Sequence, residues 1–336
     1  MAEYNKKSNI LNLFSNQLQC SYQKLWGDLK DALAGKEVDY TKEKINRSIF
    51  LLSIPMILEM LMESVFAIVD IFFVSKVSAG AVAIVGFTES LLTIIYAISF
   101  GIATAATAVV ARRIGENNAK EASIAAFQAI LTGLFLSIII SLFGIIYYNN
   151  LLVLMGANSY LISEYSGYTF FMLSGNITIM LLFIINAIIR SSGDAALSMK
   201  VLWLANIINI VLDPCLIFGW GPFPELGITG AAIATNIGRG IAVLFQIYLL
   251  FSGKYRVKLY LSSLKIDFKV IFQIIKLSLG SIGQNIIATS SWIGLMRIAA
   301  TFGSEVVAGY TIGIRIILFT LMPMAGLANA ASTLVG

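Results

Sequence analysis

No histidine occurs among the 336 residues, and only two cysteines do, Cys20 and Cys215. The missing histidine removes the commonest zinc ligand and the commonest general base near neutral pH. The cysteines fall in a polar tail and in an apolar run, so neither a disulfide between them nor a metal framework is expected. Charge is scarce too: Asp, Glu, Lys and Arg make up 12% of the chain, against about 25% in a soluble domain. No Gly-rich loop leads into the Lys-Ser/Thr of a phosphate cradle, and no Ser or Cys nucleophile has a histidine to activate it. Residues 1–45 lack a compact apolar stretch followed by a cleavage site, so no secretory signal is expected. No enzyme activity and no cofactor are expected.

What the chain has in quantity is apolar residues, 58% of the total. A water-soluble fold could not cover itself with so little polar surface, so lipid is the natural solvent. Continuous apolar runs at roughly 48–75, 80–111, 122–148, 160–190, 196–219, 227–252, 268–300 and 304–335 read as eight transmembrane helices. They do not alternate as barrel strands would. The expected fold is all-α and polytopic.

The net charge of +5 is a topology signal, not a nucleic-acid footprint. Arg112, Arg113 and Lys120 follow the second run, Arg190 and Lys200 flank the link after the fourth, and Lys254, Arg256, Lys258, Lys265 and Lys269 follow the sixth. The opposite links carry only Lys76. This bias places the N-terminus and the links after even-numbered runs in the cytoplasm.

The chain also repeats itself. GIATAATAVVA at 101–111 aligns with GLANAASTLVG at 326–336, 225 positions later, with five of eleven pairs identical. The same offset pairs Ser53 with Ser278 and Val82 with Val307. Duplicated bundles are typical of secondary transporters, which bind substrate between the repeats. The expected organisation is a cytoplasmic tail (1–45), a six-helix N-lobe (46–252), a polar cytoplasmic linker (253–267) and the start of a second lobe (268–336). In the tail, Leu11, Leu18, Leu25, Leu29 and Leu33 recur at helical spacing with Phe14, Tyr22 and Trp26. That stretch reads either as an amphipathic helix on the membrane surface or as a helix packed on the bundle's inner face.

Charged groups inside the spans are costly, so each asks for a reason. The first run carries Glu59, Glu63 and Asp70. At 100° per residue Glu63 lies about 40° and Asp70 about 20° from Glu59, so all three point the same way. The fifth run carries Asn206, Asn209 and Asp213, followed by Pro214, which frees the carbonyl of Ile210. The sixth adds Thr235 and Asn236, and the fourth adds Asn186. These oxygens suit a hard cation such as Na⁺, or proton exchange at the carboxylates; the bland alternative is interhelical glue. Glu59, Glu63 and Glu89 are candidates to line a substrate cavity. For Arg239, Arg297 and Arg315, structural pairing or snorkelling is the expected account.

Several segments taken in order resemble the multidrug and toxic compound extrusion (MATE) family. They are Pro55 followed by SVFAIVDIFFVSKVSAGAVA at 64–83, AVVARRIGENN at 108–118, IIRSSGDAALSMK at 188–200, NIVLDPCLIFG at 209–219 and ELGITGAAIATNIGR at 225–239. The resemblance runs from about Ile45 to Gly336. It implies twelve helices in two lobes around a cavity, with four of them, helices 9–12, expected beyond Gly336. It implies export of bulky, often cationic drugs against inward Na⁺ or H⁺, with the coupling ion held by Asp70, Asn209, Asp213 and Thr235, and by Asn186 in some members. Two departures stand out. Glu63 occupies a position where many members have Gln, and the repeat partner of Asp70 is Leu295, so the seventh span has no core carboxylate. The alternatives are a lipid-linked precursor flippase, a membrane-embedded enzyme and a passive channel. The flippase would need a wide basic cavity for a pyrophosphate, and the buried acids argue against it.

Overall fold

The computed structural model describes residues 23–36, 38, 40, 42–253, 257–260 and 265–335. Among the described residues from 45 onward, nine long helices follow one another: α1 (Ile45–Ser75), α2 (Ala79–Gly115), α3 (Ala119–Met155), α4 (Ser159–Ser174), α5 (Asn176–Ser191), α6 (Ala195–Phe218), α7 (Ile228–Ser252), α8 (Phe268–Ala300) and α9 (Ser304–Val335). No strand occurs among the described residues. Their ends are set by local chemistry. Ser78, Asn118, Asn158 and Asp267 cap α2, α3, α4 and α8 by accepting from backbone N–H groups of the first turn. Gly156 and Gly219 close α3 and α6 with left-handed backbone at φ 101° and 70°.

Seven segments are long and apolar enough to cross a membrane. They are the expected runs from the second to the eighth, the continuous run Ser159–Ser191 being counted once. The protein is a multi-pass membrane protein. The first expected run, α1, has 31 residues but stands outside that set; it carries Arg47, Glu59, Glu63 and Asp70. The expected fourth run differs in another way, because α4 and α5 part at Gly175. There Asn176 turns its amide back on α3 and α4, donating to the Ser137 and Leu173 carbonyls and to Ser141 Oγ. Asn236 of α7 fills the break and accepts from Thr178 Oγ1 at 3.1 Å.

Residues 23–34 are helical. Their end meets the bundle: Lys200 Nζ donates to the Ala34 carbonyl, and Arg47 pairs with Asp28, Asp31 and Glu43. The remainder of the expected amphipathic stretch, 11–22, lies outside the described residues.

The repeat reappears in three dimensions. α2 begins at Ala79 and α9 at Ser304, the same 225-residue interval. A Cβ on Gly101 would fall 2.2 Å from Ile282, and one on Gly326 would fall 2.8 Å from Ile57 Cα. Positions 101 and 326, and 57 and 282, are pairs at that interval. The two glycine contacts are therefore reciprocal, as across an internal two-fold axis. Gly86 meets Thr311, its own partner at that interval, as a position on the axis must. α8 packs on α2, and α9 on α1 and α2.

Candidate functional site

α1 and α6 run side by side, with α7 antiparallel to both, and their polar residues meet in three storeys. The first centres on Glu59, 1% exposed. It accepts from Arg190 Nη1 at 2.6 Å, Asn186 Nδ2 at 3.3 Å and Ser198 Oγ at 3.1 Å. Gln246 Nε2 of α7 donates to Asn186 Oδ1 at 2.5 Å. The second centres on Glu63, which accepts from Asn206 Nδ2 at 3.0 Å and from Arg239 Nη2 at 3.3 Å. The third holds Asp70 and, beside it, Asn209, Asp213 and Thr235.

In that third storey Asn209 Nδ2 donates both to Asp213 Oδ1 (3.2 Å) and to Thr235 Oγ1 (3.0 Å). Asp213 is fully buried. Its Oδ2, and Oδ1 of Asn209, have no hydrogen-bond partner among the described residues. A buried carboxylate oxygen without a donor is unstable as it stands, because burying an unpaired charge costs several kcal/mol by Born-type reasoning. Asp70 lies near enough to act on Asp213 electrostatically, but its own partner is Arg315 Nη1 of α9, at 3.2 Å.

The structure thus sorts the expected residues into separate groups. Asn209, Asp213 and Thr235 come together as a hydrogen-bonded set, with Asp70 adjacent and tied to an arginine. Asn186 does not join them: both ends of its amide are engaged at the Glu59 storey. Glu59 does not line the cavity either, because its two oxygens are taken up between α5 and α6. Glu63 and Glu89 do line it. The cavity, of about 360 Å³, opens between α1, α2, α8 and α9 and is also bordered by Tyr96, Phe183, Arg239, Trp292 and Tyr310. Tyr96 and Phe183 meet edge to face at 5.8 Å, and Arg239 stacks over Phe66 at 5.7 Å.

Sequence reasoning does not foresee that each acid of α1 meets an arginine from a different helix. Glu59 pairs with Arg190, Glu63 with Arg239 and Asp70 with Arg315, which also holds Glu89. In the sequence Arg190 reads only as a topology marker. The available signal is the number of arginines inside or bordering apolar runs that also hold acids. Asp213 alone among these acids has no arginine against it among the described residues.

The MatE family model matches residues 55–215, which contain the α1 and α6 members of all three storeys. Over that segment the chain is similar to the MATE family. It is 34% identical over 206 residues to the FAD transporter of Shewanella oneidensis, covering 61% of this chain and 46% of that protein. It is 26% identical over 298 residues to the probable multidrug resistance protein NorM of Thermotoga maritima, covering 87% and 63%. Among solved structures, a MOP superfamily transporter from Pyrococcus furiosus superposes with a TM-score of 0.79 at 27% identity, covering 89% of this chain and 66% of that one. The chain therefore spans about half to two-thirds of the length of the relatives it matches.

Proposed function

We propose that this chain belongs to a MATE-family antiporter that exports organic, often cationic, compounds from the bacterial cytoplasm by alternating access, driven by inward Na⁺ or H⁺. The observation that carries the reading is Asp213: a fully buried carboxylate with one oxygen unpartnered among the described residues, beside an amide oxygen of Asn209 in the same condition. A monovalent cation or a proton satisfies both needs. One carboxylate with neutral amide and hydroxyl oxygens suits such an ion better than a transition metal. No group of three or more His, Cys, Asp or Glu residues able to hold a metal occurs among the described residues. The aromatic-lined cavity with Glu89 at its wall supplies a place for a bulky organic cation. One relative named a FAD transporter and one named a probable multidrug resistance protein agree with a small organic substrate. The positive-inside bias supports a cytoplasmic N-terminus.

Asp213→Asn tests the reading. The substitution keeps size and shape and removes the charge. Uptake of an organic cation into everted vesicles should fall to background at an unchanged amount of inserted protein. Transport at the wild-type rate would remove Asp213 from coupling and the reading with it.

A further inference from the structure

Arg315 comes from α9, in the second repeat copy, and its side chain is 4% exposed. It nevertheless touches three groups on two helices of the first copy. Nη1 donates to Asp70 Oδ2 at 3.2 Å and to the Ala67 carbonyl, and Nη2 donates to Glu89 Oε1. Its Nε has no partner among the described residues. The two carboxylates look into different places. Asp70 is 6% exposed and within electrostatic reach of Asp213, whereas Glu89 is 39% exposed and lines the cavity. A single buried guanidinium therefore compensates two carboxylates, one at the ion-binding set and one at the substrate cavity.

We propose that Arg315 is a shared counter-ion that makes occupancy of the two sites mutually exclusive. Leaving a buried charge uncompensated is costly, and bringing two cations to one carboxylate is costly as well. A cation arriving at Asp70 releases the guanidinium towards Glu89, where it displaces an organic cation. An organic cation arriving at Glu89 returns the guanidinium to Asp70, where it displaces the coupling ion. The unused Nε–H gives the side chain a spare donor for either position. Mutual exclusion is what keeps an antiporter from carrying both solutes in one direction. The inference rests on the export reading above and adds the residue that links its two sites.

The test is a thermodynamic cycle read by equilibrium binding of tetraphenylphosphonium to the purified protein in detergent. Arg315→Gln frees Glu89 and should tighten binding by about fivefold or more. Asp70→Asn leaves Arg315 to Glu89 alone and should weaken binding by about a similar factor. The double variant should bind like Arg315→Gln, because without the guanidinium Asp70 has nothing to hand over. An Asp70→Asn effect that persists undiminished in the Arg315→Gln background would overturn the proposal, since Asp70 would then act on the ligand directly. If Arg315→Gln does not accumulate, a Glu89→Gln background serves in its place. There too, Asp70→Asn should leave binding unchanged, and a persisting effect overturns the shared counter-ion. Wild-type protein that binds no tetraphenylphosphonium would overturn the export reading and this proposal together. Specific binding with an additive cycle overturns this proposal alone.

Discussion

Glu59 and Arg190 show how a charged residue in an apolar helix can be held by its neighbours away from the cavity. The pair is buried at 2.6 Å, and every polar atom of Glu59 is engaged by α5 or α6. Such a pair fixes how helices meet more than it stabilises them, because desolvation offsets most of the attraction. Breaking it is another matter. Arg190→Met should destabilise the protein by about 3–5 kcal/mol, by leaving Glu59 buried and unpaired. The double variant Glu59→Met/Arg190→Met should recover most of that loss, since Asn186 keeps its bond to Gln246. Unfolding in detergent measures both, and a double variant as unstable as the single one would show that the pair contributes far more than it costs. At this scale the sequence was half legible. The acids, Asn209 and Thr235 could be found because hydrocarbon makes each polar residue conspicuous and the helical period fixes its facing. Their partners could not: Asn186 and Asp213 carry equally conspicuous polar groups, and only the side-chain bonds that α5 sends to Glu59 assign Asn186 there instead.

Most helix ends, though not that of α3, which continues to Met155 well past its expected run 122–148, were legible to within a few residues, because an apolar run has to be long enough to cross lipid and a polar link has to end it. The break at Gly175 was not, because hydropathy does not change there. What divides α4 from α5 is hydrogen bonding: Asn176 takes carbonyls of α3 and α4, and Asn236 sits against Gly175. A Cβ at Gly175 would lie 2.1 Å from Asn236 Oδ1, far inside contact distance. Gly175→Ala should therefore destabilise the protein by about 1–3 kcal/mol through overpacking. Asn236→Ala in the same chain should relieve part of the loss, because the clash is with that side chain. Additive losses in the double variant would place the strain in the backbone instead. The same helix-level view accounts for Gly101 and Gly326, small residues that permit close helix contact. Each lets a neighbouring helix come within what a side chain would fill, and each does so against the other's counterpart.

For the whole molecule, the 225-residue offset was the most informative feature of the sequence, and it corresponds to an internal two-fold relation. A duplicated chain that buries its apolar faces against its own copy brings equivalent positions together on the axis, as Gly86 and Thr311 show. What the sequence could not supply was the charge that crosses this interface, Arg315, because its partners lie more than 220 positions away. The axis also offers a direct test of alternating access. A Cβ on Gly86 would stand 3.2 Å from Thr311 Cβ, close to the spacing of about 3.5–4.5 Å that a disulfide spans. Gly86→Cys with Thr311→Cys, in a Cys20→Ser/Cys215→Ser background, should therefore cross-link on oxidation with a small backbone adjustment. If the two copies must part at this point during the cycle, oxidation should abolish efflux, and reduction should restore it. Full transport by the oxidised protein, with the cross-link verified by mass, would mean that the copies do not separate here, and the rocking motion would have to be placed elsewhere in the bundle.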